Sequence, residues 1–440
     1  MRTALPLEFL RPAVALVPWL LAAAAAVTAD RRRRAGAALG ALWNAVALVA
    51  VNAVAVQAGW WSFGSPDHPV DGSSWSGVPI DVVLGWAVLW GAVPVLLGAV
   101  VRPALTAAIL VGADLIAMAA LEPLVVLGRA WLWGEALAVT LALVPGLVLG
   151  ELTARGRAVR VRSWLQTVLF TAILAWCLPS AALAFAGRPW GEALAAWPRT
   201  VLSLWVQAGL LLAIVAQRAV AEFADYGGTP FPWDPPSHLA RTGPYAYVAN
   251  PMQACAAAIL LVEAAALLEW RLAAATVVAV AFSAGLAALH EDGELERRFG
   301  PAWRDYRRAV PAWRPRLHPV DGGGRAELWV SATCGVCAPV GAWFARRAPE
   351  QLRIRAAEEH PAGLRRVYYV RAATETPHGD DRPAASASGL AAIGRGLEHL
   401  GLGWAVVGWV LRAPVLSPLL QVTVDALGGG PRRLDGDARS

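Results

Sequence analysis

Long apolar stretches, separated by short polar segments, dominate the pattern of hydrophobic and polar positions along the chain. Most of them approach the roughly 20 residues that a helix needs to cross about 30 Å of hydrocarbon. They lie near residues 9–29, 36–58, 79–101, 104–122, 131–150, 164–186, 200–221, 252–268 and 271–289. The pattern therefore predicts an all-α polytopic membrane protein with about nine transmembrane helices, followed by a more polar carboxyl-terminal part.

The composition agrees with this prediction and differs from that of an average soluble domain. Hydrophobic residues make up 57% of the chain and charged residues 16%, whereas an average soluble domain carries about 25% charge. The net charge of +6 is typical of arginines at helix ends. Because no basic run is interleaved with aromatic residues, the sequence argues against nucleic-acid binding. We expect the lipid bilayer as a partner and no nucleic acid.

Arginine sets the expected orientation, since the chain contains no lysine. Arginines follow the first apolar stretch (Arg31 to Arg34), the third (Arg102) and the fifth (Arg155 to Arg162), whereas the long connection 59–78 has none. Loops rich in basic residues stay in the cytoplasm. This alternation predicts a multi-pass protein of the cell membrane whose amino terminus is outside and whose segments beyond residue 225 are cytoplasmic, apart from the last apolar pair.

Two polar segments flank that last pair of apolar stretches. The first, from Tyr226 to Asn250, is crowded with proline and glycine, so its backbone cannot be a regular helix. The second begins with Glu291 and Asp292, where an apolar helix meets water. Irregular polar backbone on the same membrane face as a carboxylate cluster is typical of a polar site in a membrane enzyme.

The order of residues in these segments resembles the isoprenylcysteine carboxyl methyltransferase and phospholipid methyltransferase family of integral membrane enzymes. The matching residues of the first segment are Gly228, Thr229, Pro230, Pro232, Pro235, Pro236, Leu239, Gly243, Pro244, Tyr245, Tyr247, Val248, Asn250, Pro251 and Met252. Those of the second are Glu291, Leu295, Phe299, Gly300, Tyr306, Val310, Pro311 and Pro315. The chain departs from the family at Ala249, where the family has arginine, at Gln253, where it has tyrosine, and at Asp292, where it has a second glutamate.

The resemblance implies an enzyme that transfers a methyl group from S-adenosylmethionine to a lipophilic acceptor, which is a carboxylate, an amine or a thiol. It implies cofactor contacts at Gly228, His238, Leu239, Tyr245, Asn250, Pro251, Met252, Gln253, Glu291 and Asp292. Because the sulfonium methyl group is already activated, alignment and exclusion of water can supply much of the acceleration. We therefore expect no metal ion and no obligatory nucleophile on the protein.

The composition changes again after a glycine-rich linker at 319–325. A short strand (AELWVSA) runs into Cys334-Gly-Val-Cys337, and an amphipathic helix follows. A CxxC motif between a strand and a helix is the thioredoxin-type arrangement, in which the helix amino terminus stabilises the thiolate of the first cysteine. A zinc site would need four ligands, and the histidines of this region are irregularly spaced. The motif therefore favours redox chemistry at Cys334 and Cys337.

This part of the chain resembles the DCC family of thiol-disulfide oxidoreductases. The shared features are the CxxC motif after the first strand, the helical segment from Gly389 to Pro414, and the closing run LLQVTVDALGGGPR. Ser331 and Thr333 stand where that family has aspartates. The resemblance implies a small cytoplasmic α/β thioredoxin-like domain with a dithiol redox partner.

These observations divide the chain into an N-terminal transmembrane region (1–199), a methyltransferase-like membrane domain (200–318), the linker and a CxxC domain (326–440). The leading interpretation is a membrane methyltransferase. The alternative is a membrane-anchored thiol-disulfide oxidoreductase in which the methyltransferase-like part is only a scaffold. A carrier or lipid-binding role for the first six helices has only Asp114, in an apolar helix, and the loop 59–78 to support it. Cys177 and Cys255 are expected to be packing residues.

Overall fold

The fold is described from a computed structural model of the chain. The described residues are 7–65, 68–69, 74–75, 77–122, 124–231, 234, 236–320, 325–373 and 384–431, without the side chains of residues 7, 65, 68, 69 and 286–292. They form two compact units, one up to Leu178 and one from Pro179 onward.

Seven helices in the described part of the chain are long and apolar enough to cross a membrane. They are α1 (Glu8–Thr28), α2 (Arg31–Ala58), α3 (Ile80–Leu97), α4 (Pro103–Ala120), α5 (Trp131–Ala154), α6 (Val159–Phe185) and, after the short α7 (Trp190–Ala195), α8 (Arg199–Asp225). The chain is therefore a multi-pass membrane protein, as its hydrophobic pattern predicts.

The last two apolar stretches form shorter helices than the predicted spans. α9 (Pro251–Leu267) has 17 residues, and α10 (Trp270–Gly285) is similarly short. The break between them is built locally, because Leu268 ends α9 with a positive φ of 51° and the carboxylate of Glu269 accepts a hydrogen bond from the backbone N–H of Arg271. The pair is therefore an apolar hairpin that returns the chain to the side from which it came.

Close backbone contact holds the first unit together. A Cβ atom on Gly36 of α2 would lie 2.3 Å from the carbonyl oxygen of Gly150 on α5. One on Gly40 would lie 2.4 Å from that of Gly91 on α3. Small residues allow helices in a membrane to approach in this way. These contacts fix α2 between α3 and α5, and the apolar core of the unit lies beside them.

Short strands cap one end of this bundle. β1 (Trp61–Ser65) pairs antiparallel with β2 (His68–Pro69) and with β5 (Val125–Leu127), while β3 (Ser74–Trp75) pairs with β4 (Val78–Pro79). Trp61 is buried and donates its indole N–H to the side chain of Asn52, at 2.9 Å. The connection 59–78, expected as a loop, is thus partly a small sheet.

In the second unit, the chain after the hairpin forms two more helices, α11 (Ala288–Phe299) and α12 (Pro301–Ala309). A mixed four-stranded sheet then follows in the order β7-β6-β8-β9. Its strands are β6 (Ala326–Val330), β7 (Leu352–Ala356), β8 (Tyr368–Arg371) and β9 (Ala385–Ser388), and only β6 and β7 are parallel. Helix α13 (Cys337–Arg346) connects the parallel pair.

Three helices complete the second unit: α14 (Leu390–Leu397), α15 (Leu402–Leu411) and α16 (Leu416–Gly429). Phe344 of α13 and Ala392 and Leu397 of α14 pack with Leu328 of β6 in the core of the sheet. α15 and α16 are apolar and meet at an angle of 87°. The helical segment predicted after Gly389 is therefore three separate helices, with a sharp bend between the last two.

Candidate functional site

The irregular loop between α8 and α9 meets the segment that follows α12. The backbone N–H of Ala249 donates to the carbonyl of Pro311 at 2.9 Å, and that of Asn250 donates to Ala312 at 3.1 Å. The buried hydroxyl of Tyr306 donates to the carbonyl of Tyr245 at 2.9 Å. The two polar segments that the sequence singles out, separated by the α9–α10 hairpin, are therefore joined by direct hydrogen bonds.

Several of the predicted cofactor residues are packed inside this loop. Tyr245 is buried and stacks on Phe223 of α8, with the ring centroids 5.6 Å apart, and Met252 packs against the same cluster. Leu239 is buried against Phe299 and its neighbours on α11 and α12. Gly228 is also explained by packing, because an added Cβ would lie 2.5 Å from the ring of Phe223.

Other predicted cofactor residues are less deeply buried, and one matching residue beside them has a buried hydroxyl without a partner in the described part of the chain. Asn250 precedes α9 without capping it through its side chain, and Pro251 takes the first helical position, where a missing N–H costs nothing. His238, Asn250 and Gln253 are half-buried. The hydroxyl of Thr229 is 1% exposed and has no hydrogen-bond partner among the described residues. A buried hydroxyl without a partner is uncommon.

The two predicted carboxylates, Glu291 and Asp292, lie in the first turns of α11. Their side chains are outside the described residues, and so their contacts with the loop stay a prediction.

A buried ionic cluster that the sequence analysis missed lies directly behind the loop. Glu222 of α8 is 1% exposed and accepts hydrogen bonds from Thr242 of the loop and from Arg395 of α14, the latter at 2.8 Å. Arg218, one turn earlier on α8, lies 3.4 Å from the same carboxylate. On the other side, Arg395 lies 3.2 Å from Glu398, and Arg412 also pairs with Glu398.

The same face carries uncharged contacts between the loop and the carboxyl-terminal helices. The hydroxyl of Tyr247 donates to the backbone carbonyl of Glu398 at 2.9 Å. Tyr247 also packs edge-to-face on Trp409 of α15, with centroids 5.8 Å apart. A cavity of about 40 Å³ remains beside these contacts, lined by Arg241, Arg371 and Glu398 among others. The loop is thus sealed on this face by the CxxC part of the chain.

The CxxC motif lies where the sequence predicts it, between β6 and the start of α13. The carbonyl of Cys334 accepts hydrogen bonds from the backbone N–H groups of Cys337 at 3.1 Å and Ala338 at 2.9 Å, which close the first helical turn. Both cysteines are thiols and half-buried. The first cysteine therefore precedes the helix amino terminus, where the helix dipole favours a thiolate.

Glu358, which follows β7, holds the segment before the motif. Its carboxylate accepts hydrogen bonds from the hydroxyls of Ser331 at 2.6 Å and Thr333 at 2.9 Å, and from the backbone N–H groups of Ala332 and Thr333 at 3.2 Å. Ser331 in turn accepts from the N–H of Cys334 at 3.1 Å. Partial burial acts to raise the pKa of Glu358, but these hydrogen bonds prevail and lower its pKa to about 2. A carboxylate thus lies beside the motif although Ser331 and Thr333 carry none.

A partly open cavity of about 80 Å³ adjoins the cysteines. Cys334 and Cys337 line it together with apolar side chains, among them Val340, Ile393 and Val424. The last of these belongs to α16, so the cavity lies between the motif and the bent helix pair. It gives a reacting disulfide or other oxidant a largely apolar approach to the sulfur atoms.

A second polar site lies in the first unit. Asp114 of α4 and Glu135 of α5 are both buried beside Trp86 of α3. The adjoining cavity of about 30 Å³ is lined by both groups and by Trp90, and it is large enough for a water molecule. This arrangement agrees with the sequence-based choice of Asp114 and adds Glu135 as its partner.

The remaining cysteines are isolated, Cys177 half-buried and Cys255 buried. The described residues contain no group of three or more histidine, cysteine, aspartate or glutamate side chains arranged to hold a metal ion.

Comparison with known proteins gives no match: no family model, no curated protein and no solved structure matches the chain.

Proposed function

We propose that the chain is an S-adenosylmethionine-dependent methyltransferase that acts on a lipophilic acceptor at the cytoplasmic membrane face. The observation that carries this proposal is the pair of hydrogen bonds from Ala249 and Asn250 to the segment after α12. These bonds join the two segments whose residue order resembles the methyltransferase family, although about 60 residues of chain separate them.

The chemical character of the described residues around the loop suits the parts of S-adenosylmethionine. Tyr245, Phe223 and Met252 provide an aromatic and apolar surface of the sort that an adenine ring or a thioether packs against. The hydroxyl of Thr229 has no partner among the described residues, and the Asn250 side chain does not cap its helix. In this proposal both contact the hydroxyl, ammonium or carboxylate groups of the cofactor. In this proposal Glu291 and Asp292 face the positively charged end.

When bound, S-adenosylmethionine supplies an electrophilic methyl group for an in-line displacement. The chain binds and orients the reactants and keeps water away. The loop is buried over Thr242 to Ala249, held by Tyr306 on one side and by Glu222 on the other. A fixed loop preserves the alignment of the reacting atoms, and alignment is where much of the acceleration arises. The acceptor enters from the bilayer beside the apolar hairpin α9–α10.

Calorimetric titration of S-adenosylmethionine into the detergent-purified full chain tests this function. We expect saturable binding that Glu291→Ala abolishes. Thr229→Val, which keeps the side-chain shape but removes the hydroxyl, should weaken binding about threefold to tenfold, the usual range for one hydrogen bond. The matched control is Glu296→Ala on the same helix, because Glu296 is half-exposed and pairs with Arg304 on the surface.

Two results would count against the methyltransferase. One is the absence of binding to wild-type protein that circular dichroism shows to be folded. The other is an equal effect of Glu291→Ala and Glu296→Ala.

A second function, thiol-disulfide exchange, is favoured by the position of Cys334 before the amino terminus of α13. The sheet order β7-β6-β8-β9 with one parallel pair supports a thioredoxin-like domain. In the reaction, the Cys334 thiolate attacks a substrate disulfide and forms a mixed disulfide while one substrate thiolate leaves. Cys337 then attacks Cys334, which closes the Cys334–Cys337 disulfide and releases the second substrate thiol.

Single cysteine variants test this order of events. With oxidised glutathione, Cys337→Ser should accumulate a stable mixed disulfide on Cys334, because the second attack is missing. Cys334→Ser should form far less adduct, since Cys337 lies inside the helix. Mass spectrometry of the intact chain measures both. Equal adducts in the two variants would contradict the assignment of Cys334 as the attacking thiol.

A further inference from the structure

The bent helix pair α15–α16 presents an apolar outer face that the described protein leaves uncovered. Val415, Leu419, Val422 and Leu427 are 73%, 62%, 68% and 78% exposed. Trp404 and Val407 of α15 are also exposed. Single exposed apolar residues are common on protein surfaces, but a continuous group of large ones marks contact with a partner or a membrane.

The inner face of the same pair contacts the rest of the second unit, through apolar packing on α15 and polar bonds on α16. Ala405 and Trp409 of α15 are buried against Tyr247 of the loop. On α16, Gln421 accepts a hydrogen bond from the N–H of Leu390 and Asp425 pairs with Arg366. The pair is therefore firmly attached to its own domain, and the outer face has to be covered by something else.

The position of α15 beside a membrane-spanning helix identifies what covers that face. Val215 of α8 packs against the cluster that contains Ala405 and Trp409. It lies at the end of the apolar part of α8, just before Gln217 and Arg218. The end of an apolar stretch marks the edge of the hydrocarbon layer. Helix α15 thus packs beside α8 at the level where the apolar part of α8 ends.

Because of the 87° bend, the two helices do not form one straight membrane span. Arg412, at the bend, turns inward to Glu398, so its charge does not oppose contact of the outer face with lipid. Apolar helices that lie in the surface layer of one leaflet bind through the area they bury there. The bilayer is therefore the occupant that fits the outer face of α15 and α16.

This placement has a consequence for the cysteines, because α16 also forms a wall of their cavity. Val424 and Gly428 of α16 line the same cavity as Cys334 and Cys337. The sulfur atoms are thus separated from the lipid-facing surface by a single helix. A water-soluble protein disulfide would have to approach along the membrane, whereas a molecule dissolved in the lipid is already beside the cavity.

We infer that the dithiol Cys334–Cys337 exchanges electrons with a lipid-soluble quinone, with α15 and α16 resting in the cytoplasmic leaflet. This inference rests on the proposed redox function. Oxidation of the two thiols forms one S–S bond and releases two electrons and two protons. The quinone takes up both pairs at its oxygen atoms and becomes the hydroquinone, so that the reaction balances without a further reactant.

The test uses the full chain, reduced and reconstituted in lipid nanodiscs, with a decyl benzoquinone or oxidised glutathione as oxidant. Disulfide formation is followed by loss of thiol labelling, and quinone reduction by its absorbance. Leu419→Glu places a charge on the outer face, which is costly in lipid. We expect it to slow oxidation by the quinone about tenfold or more and to leave oxidation by glutathione within about twofold.

Ala362→Glu is the matched control, since it adds the same charge at an exposed turn that belongs to neither helix of the pair. Equal quinone rates in Leu419→Glu and Ala362→Glu would overturn the inference. So would a wild-type dithiol that reacts with glutathione and not with the quinone, a result that leaves the redox function standing. A dithiol that reacts with neither oxidant would remove the redox function and the inference together.

Discussion

Glu358, 24 residues after Cys334 in sequence, holds the segment before the CxxC motif in place through hydrogen bonds to Ser331 and Thr333. Its carboxylate collects four hydrogen bonds from the three residues that precede Cys334. Charge-assisted hydrogen bonds of this kind are stronger than neutral ones. The carboxylate therefore fixes the backbone that presents the first cysteine to its cavity.

We expect Glu358→Gln to destabilise the folded chain by about 1–2 kcal/mol near neutral pH, the effect of losing charged hydrogen-bond partners at a partly exposed site. Because the folded-state pKa of Glu358 is lowered to about 2 from an ordinary value of 4.5, its stabilisation is complete above pH about 4.5 and is lost as pH falls toward 2. Thermal unfolding of wild type and variant should therefore converge in acid. A difference that stays constant with pH would contradict this role.

At this scale the sequence predicts the cysteines and their helix but not Glu358. CxxC is a local pattern, and a strand before it and an amphipathic helix after it can be read from neighbouring residues. Glu358 reaches the motif only because β7 pairs in parallel with β6, which brings the ends of the two strands together. No local periodicity encodes that pairing. The same holds for Glu135, which meets Asp114 through helix packing.

Among the elements, α8 and α14 depend most strongly on each other. Arg395 and Glu222 are 6% and 1% exposed, and their charges meet at 2.8 Å. Breaking a buried ion pair by removing one partner is strongly destabilising, because the remaining charge stays in a medium of low polarity.

Arg395→Gln should therefore lower the free energy of unfolding by about 3–5 kcal/mol. The matched control is Arg308→Gln, since Arg308 pairs with Asp305 at 2.9 Å on the surface, with both side chains mostly exposed. An exposed pair of this kind contributes about 0–1 kcal/mol. Denaturation in mild detergent, followed by circular dichroism, measures both variants. Similar losses in the two would mean that the cluster is accessible to water.

The hydrophobic pattern predicts the apolar helices well and their breaks less well. Seven of the expected stretches are long helices, because each has an apolar window long enough to cross a membrane. The bend between α15 and α16 follows Arg412, where Ala413 and Pro414 stop the helix. Proline marks the position of such a break, but the angle of 87° depends on how both helices pack on the domain. The hydrophobic pattern of the sequence does not show how these helices pack on the domain.

For the whole molecule, the sequence predicts a multi-pass membrane protein with a polar carboxyl-terminal part, and the structure agrees. Where one part ends and the next begins is harder to read. The composition suggests a boundary at the glycine-rich linker 319–325, whereas the structure groups everything from Pro179 onward into one compact unit. The two parts group together because the contact surface that contains Tyr247, Glu222 and Arg395 joins them. This surface forms only when both parts are folded.

The contact surface between the membrane part and the CxxC part has a consequence for the evolution of the chain. Two domains that are joined only by a flexible linker can be replaced one at a time in evolution. Here a replacement for the CxxC part would have to bring an arginine at the place of Arg395 and an acceptor for Tyr247, or leave the buried Glu222 with Arg218 as its remaining ion-pair partner. The membrane part and the CxxC part should therefore be inherited together, and substitutions at positions 222 and 395 should occur together.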